Sequence, residues 1–251
     1  DVYFEFKKRL IMKIGIFGAE EQEVKLLKKH LVGEIRKIAG LSFFAGKIVG
    51  KDVVLVCGGI GKVNAALCCQ ILISEFKIDA VINTGAAGGL LEGINVFDMV
   101  VSTDAVQHDV DATAFGHPIG QVPMTKSPFW PADKKLKTLA LKAFKAMQKE
   151  SDDEHIKNLK LIEGRIASGD TFVSDKKLRE RIIKEFNPAC VEMEGAAAAQ
   201  VCRINKIPFL ILRSISDTAG KDEAAKISYD VFSAQAAKDS SLLVLQMLKM
   251  L

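Results

Sequence analysis

The sequence predicts an α/β fold, a mostly parallel sheet with helices packed on both faces. Three observations carry this. Short β-rich apolar segments alternate with amphipathic helical ones along the chain. Glycine runs close several of the apolar segments, as at strand ends in such folds. The 251 residues, 49% hydrophobic and 26% charged, hold no low-complexity linker, so they read as one domain.

The first strand is Met12–Gly18 (MKIGIFG), followed by a helix over Glu20–Leu31 with Val24, Leu26, Leu27 and Leu31 at helical spacing. Strands are expected over Leu41–Val49 and Val53–Cys57. Gly58-Gly59-Ile60-Gly61 then breaks the chain before an amphipathic helix, Lys62–Phe76. Ala80–Thr84 is a short strand closed by Gly85–Gly89 (GAAGG), and Val96–Gln107 a further strand region. His108–Pro131 holds four of the six prolines and the single Trp, so it reads as a long, irregular and therefore functional loop. Beyond it come a helix (Asp133–Lys149), a strand (Leu159–Ser168), a helix (Asp175–Phe186), a strand (Cys190–Met193), an alanine-rich helix (Glu194–Asn205) and a strand (Phe209–Ser214). Ser228 reads as the N-cap of a last helix reaching the C-terminus.

Composition excludes several functions. Disorder needs low hydrophobicity and high net charge, whereas the net charge is +4. No apolar run approaches the ~20 residues of a membrane helix. Lys and Arg are interleaved with acids, the pattern of solvated helix faces, so no nucleic-acid partner is expected. The five cysteines (57, 68, 69, 190 and 202) are odd in number and form no CxxC, which suits reduced thiols and cytoplasmic residence. Residues 1–11 lack the apolar run of a signal peptide. They read as an extension to a domain spanning 12–251: a cloning remnant, an upstream start, or the stump of a removed leader, which would make the protein an exported form.

Several motifs fail on inspection. Gly58–Lys62 lacks the P-loop glycine and hydroxyl, since Val56 and Val63 stand there, and Asn64 breaks a GxGxxG. His108-Asp109-Val110-Asp111 has no second His/Cys pair at metal spacing and reads as a solvated loop, so neither metal nor cofactor is expected. Neither Ser168-Gly169-Asp170 nor Ser216-Asp217 matches the GxSxG elbow. Cys68-Cys69 reads as core packing.

Acids at strand ends are the stronger signal: Glu23, Asp170, Glu194 and Asp217 all fall where ligands gather in such folds. Glycosidic-bond cleavage needs such a set, with an acid for the leaving group, a carboxylate to activate water and an acceptor for sugar hydroxyls. MKIGIFGAEEQEV (12–24), GGIGKV (58–63), NTGAAGGL (83–90), DATAFG (111–116), SGDTFV (168–173), VEMEG (191–195) and LRSISD (212–217) together resemble, in order, the motifs of the 5′-methylthioadenosine/S-adenosylhomocysteine nucleosidases. That family belongs to the nucleoside phosphorylase superfamily. The resemblance implies a three-layer α/β sandwich around a mixed, mostly parallel sheet.

It also implies roles. Asp217 would protonate adenine at N7, oriented by Ser216, and Glu23 would activate the attacking water. Glu194 would accept from the ribose hydroxyls while Met193 packs on the sugar. Phe172 would stack on adenine, the Val173 backbone would read its edge, and Arg213 would hold the acidic network. Ile60 and Tyr229 would line the alkylthio pocket, and Ala86 would lie by the sugar and water. Family members are homodimers, with Phe115 and Pro123 reaching the neighbour's site. The chain departs from the family pattern at Glu20 (usually apolar), Ala86 (often Ser) and Tyr229 (commonly Phe), all of which bear on the 5′ group accepted. The implied activity is hydrolysis of methylthioadenosine and S-adenosylhomocysteine to adenine and a thioribose product. The alternatives are a nucleosidase for another adenine nucleoside such as aminodeoxyfutalosine, a phosphate-dependent phosphorylase, and a non-catalytic surface-binding protein.

Overall fold

A computed structural model describes residues 12–220 and 223–251. The separately assigned residues 1–11 lie outside the described residues. The strands are β1 (Ile14–Gly18), β2 (Val32–Ile38), β3 (Leu41–Ile48), β4 (Lys51–Cys57), β5 (Ala80–Gly89), β6 (Met99–Gln107), β7 (Phe129–Pro131), β8 (Leu161–Ser168), β9 (Cys190–Glu192) and β10 (Phe209–Thr218). The helices are α1 (Glu21–His30), α2 (Lys62–Phe76), α3 (Lys134–Glu150), α4 (Glu154–Asn158), α5 (Lys176–Phe186), α6 (Gly195–Asn205) and α7 (Glu223–Met250).

The strands run β10-β6-β8-β9-β5-β1-β4-β3-β2, with β7 beside β6. Because β10 also pairs with β5, the half from β5 to β10 closes into a ring. Parallel pairs join β4–β1–β5–β10 and β6–β8–β9. Antiparallel pairs form the β2–β3–β4 edge and the joins of β5 with β9 and of β6 with β10 and β7. The sheet is therefore mixed and faced by helices on both sides. On one face Leu27 of α1, Leu136 and Phe144 of α3 and Leu243, Val244 and Met247 of α7 pack with Ile16, Leu55 and Ile82. On the other, Cys68, Cys69 and Leu72 of α2 and Ala196–Ala199 and Cys202 of α6 pack with Phe17, Val54 and Val56. Burial of this order, at roughly 25 cal/mol per Å² of apolar surface, is what offsets the chain's conformational entropy.

Asp133 and Asp175 cap α3 and α5 by accepting backbone N–H bonds, as their sequence positions suggest. Other elements differ from the sequence reading. Strand β2 was not expected, because it is an exposed edge strand with no buried face to impose an alternating pattern. The glycine run 85–89 does not close the strand at Thr84; it continues β5 to Gly89. Ser228 is not an N-cap: α7 begins at Glu223 and passes through it, helped by the strong helix formers Ala224 and Ala225. His108 is not solvated but buried beneath Gly169, where a Cβ would lie 2.3 Å from its Nε2. That burial holds the His108 pKa below the usual imidazole value.

Gly85 has a comparable constraint at the centre of the sheet. A Cβ there would lie 2.2 Å from Glu23 Oε1 and 2.3 Å from an Arg213 guanidinium nitrogen, both held groups. Gly85→Ala should therefore lose about 1–3 kcal/mol of stability to overpacking, read from urea unfolding.

Candidate active site

Beyond the C-terminal ends of β1, β4, β5, β9 and β10 lies a cavity of about 470 Å³, closed on one side by α7. Nine of the residues given roles in the sequence line it: Glu23, Ile60, Ala86, Phe172, Met193, Glu194, Ser216, Asp217 and Tyr229; so does Glu20. Val173 lines an adjoining recess with Phe172, Gly88 and Asp217, and its carbonyl accepts from Gly220 N–H at 2.8 Å. Arg213 lies behind the wall, wholly buried. Phe115 and Pro123 do not join the cavity of their own chain; both are exposed. Asp170 does not line it either. It is held between loops, accepting from Lys62 N–H at 2.8 Å and donating its own N–H to Asp109 at 3.0 Å.

Glu23 is fixed by backbone. Its Oε2 accepts from the N–H groups of Ala19 (2.6 Å) and Glu20 (3.1 Å), and its Oε1 from Ala86 N–H (2.9 Å). The first two come from the end of β1 entering α1, the third from β5, so one carboxylate joins two neighbouring strands. Burial raises its pKa while Arg213 and these bonds oppose the rise.

Two further carboxylates stand at the N-terminus of α6. Glu192 accepts from Ser168 Oγ, from the N–H groups of Glu194 and Gly195, and from Arg213. Glu194 accepts from Gly61 N–H at 2.9 Å and from Arg213 Nη2 at 3.4 Å. Burial, and then the charge of Glu192, push the Glu194 pKa up. Burial alone would lower the Arg213 pKa, but Glu192, Glu194 and Glu23 raise it, so it stays cationic. Arg213 Nη2 also donates to Asn83 Oδ1 at 2.6 Å. Sequence reasoning missed Glu192 and Asn83 as site residues, though both lie within quoted motifs. The available signal for Glu192 was a second acid two residues before Glu194.

Asp217 stands apart from this network, 2% exposed, with Ser216 Oγ donating to its Oδ1 at 2.8 Å. The strand was expected to stop at Ser214, but β10 continues to Thr218 through an irregularity between Ile215 and Asp217. Such a break in alternation lets adjacent residues share one face; both Ser216 and Asp217 line the cavity. Burial raises the Asp217 pKa with only the Ser216 hydrogen bond opposing it. A carboxyl group so placed holds its proton more tightly than an exposed one and is suited to giving it to a bound base.

At the opposite end Tyr229 O–H donates to Glu20 Oε2, and its ring meets Phe172 edge to face at 5.8 Å. Lys226 and Asp230, which the sequence did not single out, line the same wall. Among the described residues no group of three or more His, Cys, Asp or Glu side chains could hold a metal ion. No helix among them is long and apolar enough to cross a membrane.

The closed mixed sheet with buried acids converging at its strand ends is that of an α/β enzyme of the phosphorylase class, and residues 13–249 match the family model described as the Phosphorylase superfamily. The chain is 46% identical to the 5′-methylthioadenosine/S-adenosylhomocysteine nucleosidase of Treponema pallidum (strain Nichols) over 96% of this chain and 94% of that protein. It superposes on the Colwellia psychrerythraea nucleosidase of the same name, solved with adenine, at TM-score 0.88, with 42% identity and 95% of each chain covered. A Helicobacter pylori structure titled futalosine hydrolase matches at TM-score 0.87, with 34% identity, over 96% of this chain and 99% of that one. The chain belongs to the 5′-methylthioadenosine/S-adenosylhomocysteine nucleosidase family of the phosphorylase superfamily.

The Asp217 environment yields a sign-specific expectation. Its folded pKa lies above its ordinary value of 3.8, so the folded state binds that proton more tightly than the unfolded one. This contribution is fully present at low pH and lost as pH rises through the folded pKa. Asp217→Asn, uncharged throughout, should therefore match wild type in Tm at about pH 4 and exceed it at about pH 9. A Tm difference independent of pH would contradict the burial.

Proposed function

We propose that this chain hydrolyses the N-glycosidic bond of 5′-thioadenosines, methylthioadenosine and S-adenosylhomocysteine, releasing adenine and the thioribose. The observation that carries this reading is the pair of carboxylates on one cavity. Asp217 is buried with little to oppose its protonation, and Glu23 is held by three backbone N–H groups. Asp217 gives a proton to adenine N7, oriented by Ser216, which makes the base a neutral leaving group as the C1′–N9 bond lengthens. Glu23 polarises water, which adds to the oxocarbenium-like C1′ and loses a proton to the carboxylate. Glu194 accepts from the ribose hydroxyls, and Met193 packs on the sugar.

Adenine stacks on Phe172, a contact of about 1–3 kcal/mol for a base on an aromatic ring. The Val173 backbone faces the base edge. Ile60, Ala86 and Tyr229 bound the sugar and its 5′ substituent, and Arg213 holds the acids in place. The catalytic unit is residues 12–251.

Water rather than phosphate suits the charge balance. Glu23, Glu192 and Glu194 face a single buried cation, Arg213, whose Nη2 is already shared among Glu192, Glu194 and Asn83. A phosphate dianion would meet uncompensated repulsion there. The likeness to a protein titled futalosine hydrolase, with the polar Glu20–Tyr229 pair, supports a second reading in which another adenine nucleoside is preferred. A homodimer fits the exposed apolar side chains of Val63, Leu67, Phe115 and Met124, with Phe115 and Pro123 of one subunit reaching the other's cavity.

Adenine release from methylthioadenosine should proceed at the same rate with and without phosphate; strict dependence on phosphate would overturn the hydrolase reading. Asp217→Asn should lower kcat by about 10²–10⁴-fold, the usual weight of general acid catalysis, with the fold intact by circular dichroism. Phe115→Asp should sediment as a monomer and show a raised KM.

A further inference from the structure

We propose that Lys62 and Asp109 are positioning residues for the adenine side of the site: with Asp170 they form a clasp outside the cavity that holds the turn 168–173, and so Phe172 and Val173, where a base needs them. This rests on the nucleosidase reading and adds to it residues that touch no substrate. None of the three clasp residues lines the cavity.

The clasp is a closed ring of three residues from three separate loops. Lys62 N–H donates to Asp170 Oδ1 at 2.8 Å, Asp170 N–H to Asp109 Oδ2 at 3.0 Å, and Lys62 Nζ to Asp109 Oδ1 at 2.6 Å. Lys62 opens α2 behind the glycine run, Asp109 begins the long loop after β6, and Asp170 lies in the turn from β8 to α5. The Lys62 and Asp109 side chains are 17% and 25% exposed, which makes this the most shielded Lys–carboxylate pair among the described residues and sets it apart from weak surface pairs. Burial would raise the Asp109 pKa, but Lys62 and the Asp170 N–H lower it below its ordinary value, so the carboxylate stays charged.

Packing alone does not fix the turn, because Asp170, Thr171 and Phe172 are exposed. At its start Gly169 rests on the buried His108 imidazole, whose ring nitrogens have no hydrogen-bond partner among the described residues and which acts there by shape. At its end the Val173 carbonyl accepts from Gly220 N–H. Between these supports, the hydrogen bonds that tie residues 170–172 to other loops are the two made by Asp170. The clasp also reaches the sugar side. Gly61, next to Lys62, donates its N–H to Glu194 at 2.9 Å, and a Cβ on Gly61 would lie 3.0 Å from Asp170 Oδ1. Opening the clasp frees Phe172 and Val173 while Glu23 and Asp217 keep their own hydrogen bonds. Binding of the base is then lost and the chemical step is spared, which appears as a raised KM with kcat retained.

The test measures kcat and KM for adenine release from methylthioadenosine, and the inhibition constant of free adenine. Lys62→Met and Asp109→Ala should each raise KM and the adenine constant by about tenfold, the usual weight of a hydrogen bond to a charged group, with kcat within about threefold of wild type. The double variant should do no more than the worse single, because one clasp is broken in either case. Asp109→Asn is isosteric and leaves one acceptor for two donors, so its rise should be smaller, about threefold. Lys62→Arg, which keeps a cationic donor, should recover most of the loss seen in Lys62→Met. KM and adenine constants unchanged in Lys62→Met, Asp109→Ala and Asp109→Asn, whatever happens to kcat or Tm, overturn the inference alone, as do additive effects in the double variant. Absence of adenine release by the wild-type protein from every nucleoside overturns the nucleosidase reading and this inference with it.

Discussion

Arg213 is wholly buried in the middle of β10, where a lone guanidinium would cost several kcal/mol to desolvate. Glu192 and Glu194 compensate it by direct ion pairs, and Glu23 from across the site. The compensation is mutual, because three buried carboxylates without the cation would repel one another and drift toward protonation. One charge thus fixes where β9, β10 and the entry to α6 sit relative to β5. Removing either side of such a pair characteristically costs about 3–5 kcal/mol, more than most single core contacts.

The backbone makes room for this network. β5 passes beside Arg213 and Glu23 as a glycine-rich strand, and at Gly85 the space a side chain would fill belongs to their charged ends. Ala86 N–H from the same strand donates to Glu23. The irregularity in β10 brings Ser216 and Asp217 onto the cavity wall three residues beyond the cation. Asp217 is consequently buried yet free of the Arg213 pairing. Its pKa is raised by burial, while that of Glu23 is pulled back by the guanidinium. Two carboxyl groups of similar intrinsic acidity are thereby placed in different environments, which is the physical basis for assigning them opposite proton-transfer roles.

Most elements were legible because their patterns are local. The α2 boundaries follow from a glycine break before a helical run, and Asp133 and Asp175 mark helix starts by their own side chains. What was illegible had no local signature. Strand β2 buries no face, so no alternation records it. The continuation of β5 through Gly85–Gly89 and of β10 to Thr218 depends on strand partners distant in sequence. Ser228 has the chemistry of an N-cap, but α7 already runs from Glu223 and packs on the sheet through residues downstream, Leu243, Val244 and Met247. In the site, residue types in ordered motifs pointed to nine cavity-lining side chains. Glu192, Asn83, Lys226 and Asp230 emerged only once the strands and α7 were placed.

The sequence by itself determined the class of architecture, the family, and the set of acids available for chemistry, because periodicity, glycine placement and motif order are properties of the chain alone. The tertiary structure decided which acids do what. It sent Asp170 to tether loops, paired Glu192 and Glu194 with Arg213, clamped Glu23 by backbone N–H groups from two strands, and left Asp217 in a pocket with one hydroxyl. Proton affinity depends on burial and on neighbouring charges within a few ångströms, and those neighbours come from segments up to about two hundred residues apart in the chain.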